Sequence, residues 1–175
     1  IWVFATLFAL LVFGLNALSV GWFATAEDYF SSIKFYAILV FIILGLLAIF
    51  GILPYEGTSS APLFTNLTAN GLFPNHWIGV ISVMLSVNYA YSGVEMIGIA
   101  AGETDNPKEA VPKAIRSTIG LLVTFFSLTI LVLASLLPMD QAGVVEAPFV
   151  VVFEKIGIPY AADIMNFVIL TAILS

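Results

Sequence analysis

Long apolar runs without charged residues alternate along the chain with short polar segments rich in glycine, proline and asparagine. A helix needs about 20 apolar residues to cross a bilayer, whereas the strands of a membrane barrel alternate in polarity over about 10 residues. The unbroken runs match the helical pattern, so we predict an all-α, polytopic transmembrane helix bundle that forms a single membrane domain over 1–175. The predicted spans cover residues 1–22, 32–53, 77–102, 113–137 and 162–175.

Polar connections separate the later spans, and their basic residues set the orientation. Four of the five lysine and arginine residues flank the spans on one side, and the fifth lies on the other side. Since cytoplasmic connections carry the excess of lysine and arginine, we predict an inner loop at 103–112 and outer loops at 54–76 and 138–161. The segment GWFATAEDYFSS predicts a short interfacial connector between the first two spans, and APFVVVFEKIG predicts a short amphipathic helix in the last outer loop.

The composition agrees with a membrane protein and excludes other classes. Hydrophobic residues make up 61% of the 175 residues, charged residues 9%, and the mean hydropathy is +1.11, which a water-soluble domain does not carry without large exposed apolar patches. The net charge of −6 is spread over the connections and predicts no nucleic-acid surface. With no cysteine, one isolated histidine and no recognisable catalytic motif, the sequence predicts no metal site, no cofactor and no enzyme. The expected surroundings are a lipid bilayer.

The third span contains an interruption in the sequence VNYAYSGVEMIG. At about 1.5 Å per residue from Trp77, the helix reaches the bilayer centre near Val87, so the break lies close to the midplane. A helix that unwinds over 90–93 leaves unpaired carbonyls at the end of its first half, and these suit an ammonium group or another cation. The second half begins with free N–H groups, which suit an anion. We therefore predict a binding site at the break.

Two ionisable residues inside the predicted spans each have two interpretations. Glu95, just after the break, either stabilises the start of the second half-helix or lines a substrate path as a cation or proton site. Lys34, near the first turn of the second span, either extends its ammonium group to the interface or faces the interior of the bundle. An interior lysine can bind and release a proton.

The stretch YAYSGVEMIGIAAGETDNPKEAVPKAI resembles the signature of the bacterial amino-acid transporter family within the amino acid–polyamine–organocation superfamily. That signature reads Phe-Ala-Phe-x-Gly-x-Glu-x-x-Gly-x-x-Ala-Gly-Glu, followed by Asn-Pro and Pro-x-Ala-Ile. Tyr89 and Tyr91 replace two phenylalanines of the signature. The replacement leaves the backbone roles of these positions intact, but the resemblance does not carry the substrate preference of the family over to this chain. The matching positions are Gly93, Glu95, Gly98, Ala101, Gly102, Glu103, Asn106, Pro107, Pro112, Ala114 and Ile115.

The resemblance implies an inverted-repeat (LeuT-like) transporter fold with one discontinuous helix, of which this chain is a central fragment holding spans four to eight of about twelve. In such families the carbonyls of the discontinuous sixth helix hold the amino group of the substrate. That role falls here on Tyr89, Ala90 and Tyr91, with Ser92 and Gly93 forming the break. The helix that binds the substrate carboxylate lies upstream, so the missing transmembrane helices of the same protein are expected partners.

The resemblance also implies a proton as the coupling ion. Lys34 in SSIKFYAI resembles the fifth-helix lysine of proton-coupled members, and the hydroxyl neighbour on the eighth helix corresponds to Ser175, with Thr171 as the second candidate. The implied function is secondary active transport of an amino acid substrate by proton symport and alternating access, in a multi-pass protein of the bacterial cytoplasmic membrane. Two alternatives stay open: an exchanger of amino acids for amines with the same fold, and a non-transporting sensor or assembly subunit built like a permease.

Overall fold

The computed structural model of the chain describes residues 2–16, 20–58, 60–71, 73–100, 106–139 and 147–174. All regular secondary structure in these ranges is α-helical, which confirms the all-α class. The helices are α1 (Trp2–Asn16), α2 (Val20–Ile49), α3 (Thr65–Ala69), α4 (His76–Ala90), α5 (Met96–Ala100), α6 (Pro107–Leu136), α7 (Pro148–Ile156) and α8 (Ala161–Leu174).

Two of the described helices are long and apolar enough to cross a membrane, over Thr25–Ile49 in α2 and Pro107–Leu136 in α6. A helix of 30 residues, the length of α6, extends about 45 Å, which exceeds the roughly 30 Å of a hydrocarbon core. Helix α2 packs against α6, α7 and α8, and α6 packs in addition against α3, α5 and α7. Shorter apolar helices lie at His76–Ala90 and Ala161–Ile173.

The start of α2 differs from the predicted second span, which began at residue 32. The helix begins at Val20, so the polar segment predicted as a connector is helical in the structure. No glycine or proline occurs between Trp22 and Leu44, so the sequence lacks the residues that most often stop a helix. As a result Lys34 lies well inside α2 and not in its first turn.

The end of α2 also differs, since the helix stops at Ile49 and the predicted span continued to residue 53. Gly51 adopts a left-handed φ of +72°, which a glycine reaches without steric cost. The N–H of Gly51 donates to the Ala48 carbonyl at 3.0 Å, and the N–H of Ile52 donates to the Leu47 carbonyl at 2.9 Å. These two bonds form a Schellman motif, which satisfies carbonyls that a helix end otherwise leaves without partners.

Helix α6 begins at Pro107, six positions before the predicted span over 113–137. Pro107 lies at the start of the helix, where its missing N–H is not needed, and Pro112 lies inside it. The N–H groups of Glu109 and Ala110 donate to the Asn106 carbonyl at 3.3 and 3.0 Å. Part of the predicted inner loop is therefore helical, and residues 103–105 of that loop lie outside the described residues.

The core forms where α2, α6 and α7 meet. The short helix predicted in the last outer loop is present as α7, and it turns Val152, Phe153 and Ile156 inward. The Phe41 ring of α2 lies 5.4 Å from the Phe153 ring, with the planes nearly perpendicular, a favourable edge-to-face contact. We use the name buried core for five fully buried side chains from the three helices: Phe41, Ile49, Val132, Leu136 and Val152.

Glycine permits the closest approach between the two long helices. A β-carbon added to Gly45 would lie 2.3 Å from Cγ1 of Val132, which is closer than real atoms pack. Val132 is itself fully buried and branched at its β-carbon, so it cannot move aside easily. Gly45 therefore sets the distance between α2 and α6 at the level of the buried core.

The loop after α2 folds back over the end of α6. The Tyr55 hydroxyl donates to the Leu136 carbonyl at 2.8 Å, and the Asn66 side-chain amide donates to the Ser135 carbonyl at 2.9 Å. Both carbonyls belong to the last turn of α6, where intrahelical partners run out. Tyr55 is itself buried, and this burial raises its pKa to about 12 because the charged phenolate would be desolvated.

Candidate functional site

The predicted interruption of the third span is present in the structure. Helix α4 ends at Ala90, residues 91–95 form turns, and α5 begins at Met96. Gly93 has a φ of +97°, a left-handed conformation that side chains other than glycine rarely adopt. The chain thus leaves the helix beside the Ser-Gly pair, with the break shifted slightly later than the predicted 90–93. We call residues 91–95 the turn segment.

The turn segment leaves three backbone carbonyls without a backbone partner among the described residues. Upstream, the N–H of Tyr91 donates to the Asn88 carbonyl at 3.2 Å, and the N–H of Ser92 donates to the Tyr89 carbonyl at 3.1 Å. Downstream, the N–H groups of Met96, Ile97 and Gly98 donate to the carbonyls three residues before them. The carbonyls that take part in none of these described bonds are those of Ala90, Tyr91 and Ser92.

Glu95 lies at the end of the turn segment, directly before Met96, and its carboxylate folds back on the turn. The Gly93 N–H donates to Oε2 of Glu95 at 2.9 Å. This hydrogen bond to the Glu95 side chain stabilises the left-handed residue. Glu95 is exposed, so its carboxylate is also accessible to a ligand that approaches the turn.

The predicted substrate residues differ in how they contact the helices. Tyr89 is 82% exposed, and Ala90, Ser92, Gly93 and Glu95 are exposed as well. Tyr91 is half-buried, and its ring packs against Phe126 of α6 with the ring centroids 5.3 Å apart. Helix α5 also packs against α6. The turn segment therefore packs against α6 through Tyr91, and its other side chains are mostly exposed.

The predicted proton-coupling residues lie elsewhere in the fold. Lys34 is half-buried and lines a cavity of about 380 Å³ between α2, α7 and α8, with apolar neighbours such as Phe41 and Met165. Thr171 on α8 is buried, and its hydroxyl donates to the Val168 carbonyl at 2.7 Å. Val168 lines the cavity of Lys34, so the packing of α2 on α8 brings Lys34 and the turn that carries Thr171 to one region. Ser175 lies outside the described residues.

The whole chain, residues 1–175, matches the family model described as amino acid permease. The chain belongs to the amino acid permease family. Among its curated relatives, amino-acid permease RocE of Bacillus subtilis (strain 168) is 50% identical over 175 residues, which is 100% of this chain and 38% of RocE. RocC of the same organism is 48% identical over 176 residues, covering 100% of this chain and 37% of RocC. The gamma-aminobutyric acid permease of that organism is 40% identical over 177 residues, covering 100% of this chain and 37% of that permease.

The chain spans less than two fifths of the length of these relatives. No solved structure matches it. Membership of the amino acid permease family makes it part of a multi-pass membrane protein, in agreement with the two described helices that are long enough to cross a membrane. Within the described residues no group of three or more His, Cys, Asp or Glu side chains is arranged to hold a metal ion.

Two structural features of this permease segment were not found by sequence reasoning. The first is the contact between Phe126 and Tyr91, for which the signal was an aromatic pair, Phe125–Phe126, in a helix that is otherwise free of aromatic residues. The second is the capping of α6 by Tyr55 and Asn66. These partners are separated by 81 and 69 residues along the chain, so no local pattern signals the contacts.

Proposed function

We propose that this permease segment belongs to a secondary active transporter that carries amino acids across the bacterial cytoplasmic membrane by proton symport and alternating access. The observation that carries the proposal is the turn segment, where α4 ends and three carbonyls have no backbone partner among the described residues. Backbone groups that are unpaired at membrane depth are retained where a ligand, water or protein satisfies them, since each costs several kcal/mol (roughly) in hydrocarbon. A transporter substrate is such a ligand.

The ammonium group of an amino acid fits the turn segment. It has three donors, and the carbonyls of Ala90, Tyr91 and Ser92 supply three acceptors within one turn. The negative end of the α4 dipole adds to the attraction for a cation. In this proposal Tyr89 to Gly93 form the amine side of the site, and Glu95 keeps Gly93 in its left-handed conformation while contributing negative charge.

Lys34 is the proposed proton site. It lies well inside α2, is half-buried and lines an apolar cavity between α2, α7 and α8. In this proposal the lysine takes up a proton and releases it in the course of a transport cycle. The hydroxyl of Thr171 on α8 and the hydroxyl of Ser175, which lies outside the described residues, are the proposed neighbours of the lysine in proton coupling.

The fold proposed for the full-length protein is the inverted repeat (LeuT-like) with a second discontinuous helix. Such folds bind their substrate between two broken helices near the midplane. In this proposal the turn segment supplies one of these broken helices, and the rest of the protein supplies the other. The substrate carboxylate would be bound by helices contributed by the rest of the protein, whose relatives are more than twice the length of this chain.

Uptake into proteoliposomes tests the proposal. The full-length protein is reconstituted, and radiolabelled amino acids are supplied with and without an inward proton gradient. We expect uptake that a protonophore abolishes, with Lys34→Ala reducing gradient-driven uptake at least tenfold while the protein remains inserted. Glu95→Gln is expected to change substrate affinity or its pH dependence.

Three outcomes would contradict the proposal. Uptake that requires amino acid or amine inside the vesicle and ignores the proton gradient would identify an exchanger. Tight substrate binding without flux would identify a sensor or assembly subunit. Unchanged gradient-driven uptake in Lys34→Ala would remove the coupling role of this lysine and leave the amine site to be judged separately.

A further inference from the structure

Helix α6 carries two adjacent aromatic residues that contact two different elements. The Phe125 ring lies 5.0 Å from the ring of Phe35 on α2, and the Phe126 ring lies 5.3 Å from the ring of Tyr91 in the turn segment. Consecutive residues of a helix point about 100° apart at nearly the same height. One level of α6 therefore contacts both α2, next to Lys34, and the turn segment.

Tyr91 is the aromatic anchor of the turn segment. Its ring is half-buried against Phe126, whereas the side chains on either side, Ala90 and Ser92, are exposed. The Tyr91 carbonyl is one of the three unpaired acceptors, and the other two belong to its direct neighbours. A contact that fixes the Tyr91 ring thus fixes the residue at the centre of the proposed amine site.

Phe126 projects from a rigid support. The same level of α6 contacts α2 through the ring pair Phe35–Phe125, and the two helices also meet closely at Gly45 and Val132. A binding site keeps its geometry when its residues are held by packed neighbours on regular helices, and misplacement by about 1 Å can cost a large factor in rate or affinity. The turn segment, with five residues of irregular backbone, depends on such a neighbour.

We propose that Phe126 is a positioning residue for the amino acid substrate: it holds the ring of Tyr91 and thereby places the carbonyls of Ala90, Tyr91 and Ser92 around the ammonium group. Phe126 does not touch the substrate in this arrangement. The inference rests on the proposed function, since it assigns Phe126 to the same amine site.

The test compares half-saturation constants for amino acid uptake by the full-length protein in proteoliposomes. Phe126→Ala is expected to raise the half-saturation constant roughly two- to twelvefold, which is the fold-change that corresponds to the interaction free energy of an aromatic pair. Maximal uptake is expected to change little. Phe126→Tyr, which keeps the ring, is expected to behave like the unmodified protein. Phe73→Ala is the matched control, because it removes a ring pair of similar spacing, 5.8 Å to Trp77, at the other end of the α4 region.

A double-mutant cycle separates positioning from a general loss of packing. Once Tyr91→Ala has removed the partner ring, Phe126→Ala is expected to raise the half-saturation constant no further. Multiplication of the two single effects in the double variant would overturn the proposal, as would an equal effect of Phe73→Ala. If Phe126→Ala fails to insert, Phe126→Leu carries the same test, and an unchanged half-saturation constant in that variant overturns it.

A thiol reporter keeps the inference separable from the proposed function. The chain contains no cysteine, so Ser92→Cys places one reactive thiol in the exposed turn segment. In an otherwise cysteine-free full-length protein, Phe126→Ala is expected to speed modification of this thiol at least threefold, and Phe73→Ala is expected to leave the rate unchanged. A full-length protein that takes up no amino acid refutes the proposed function, and an unaltered thiol rate in Phe126→Ala refutes the anchoring itself.

Discussion

The ends of α2 and α4 each lead into a left-handed glycine, and the two ends finish in opposite ways. At the end of α2, Gly51 closes a Schellman motif, and the loop that follows also caps α6. At the end of α4, Gly93 lies in the turn segment, and the neighbouring carbonyls accept no described backbone bond. One end pairs its carbonyls within the protein, whereas the other keeps three carbonyls without a backbone partner among the described residues.

The surroundings of the two ends differ in the same sense. Gly51 is itself exposed, but it follows Ile49, which is fully buried, as is Leu136 of α6. The turn segment is mostly exposed, and its described side-chain anchor is the contact of Tyr91 with Phe126. The first region therefore supplies the stability of the helix pair α2–α6, and the second supplies the proposed binding site. Substitutions in the first region are expected to lower the free energy of unfolding, and those in the second to change substrate affinity.

The largest expected effect is on the close approach of α2 and α6. Gly45→Leu drives a side chain into Val132 and is expected to cost about 3 kcal/mol in the free energy of unfolding, because the buried core has no space for it. Thermal unfolding of the full-length protein in detergent measures the loss.

A second pair of variants, Gly45→Ala and Gly120→Ala, separates the close approach from the general effect of replacing a helical glycine. Both glycines lie in long helices, but a β-carbon at Gly120 meets nothing within 4 Å. Alanine there is expected to be neutral or stabilising by up to about 1 kcal/mol, the difference in helix propensity. Equal unfolding temperatures for the two alanine variants would show that the close approach at Gly45 contributes nothing to stability.

The second prediction concerns the cap on α6. Tyr55→Phe removes the hydroxyl that pairs with the buried Leu136 carbonyl and is expected to cost about 1–2 kcal/mol in the free energy of unfolding. Tyr160→Phe, at a tyrosine that is 79% exposed, is expected to have little effect. Comparable losses in the two variants would contradict the capping role.

The same tyrosine predicts a dependence of stability on pH. The pKa of Tyr55 is raised to about 12 in the folded protein and lies near 10 in an unfolded chain. As the pH rises from about 10 to 12, the unfolded state releases its proton first, so the free energy of unfolding falls. Unfolding temperatures measured across this range are expected to fall more steeply in the unmodified protein than in Tyr55→Phe, and parallel curves would refute the assignment.

The third prediction concerns the turn segment. Gly93→Ala places a β-carbon on a residue with φ of +97°, a strain of about 1–3 kcal/mol that the exposed turn relieves by moving its carbonyls. We expect the half-saturation constant for amino acid uptake to rise about fivefold or more, with little change in unfolding temperature. Gly98→Ala is the control. A β-carbon added at either glycine meets no described atom within 4 Å, and of the two glycines only Gly93 has a positive φ. A similar shift in both variants would exclude backbone conformation as the cause.

Sequence patterns predicted much of this fold because the determining features are local. Unbroken apolar runs indicated the long helices, and the Ser-Gly pair at 92–93 indicated the break, since glycine tolerates the left-handed conformation found there. The start of α2 was mispredicted because polar residues at Glu27 and Asp28 resembled a connector, although nothing in that stretch prevents a helix. The contacts of Tyr55 and Phe126 depend on how distant helices pack, which periodicity does not encode. The roles of the candidate site residues stay predictions.

The smallest expected effect belongs to Tyr89, at the edge of the turn segment. Its side chain is 82% exposed, and the proposed amine site uses backbone carbonyls, so Tyr89→Phe is expected to change the half-saturation constant less than twofold. The same substitution restores the residue found in the signature that this chain resembles. A larger change, confined to some amino acids and absent for others, would show that the hydroxyl contacts the substrate side chain. Tyr89 would then determine specificity, and the site would extend from the carbonyls of the turn segment onto the exposed face of α4.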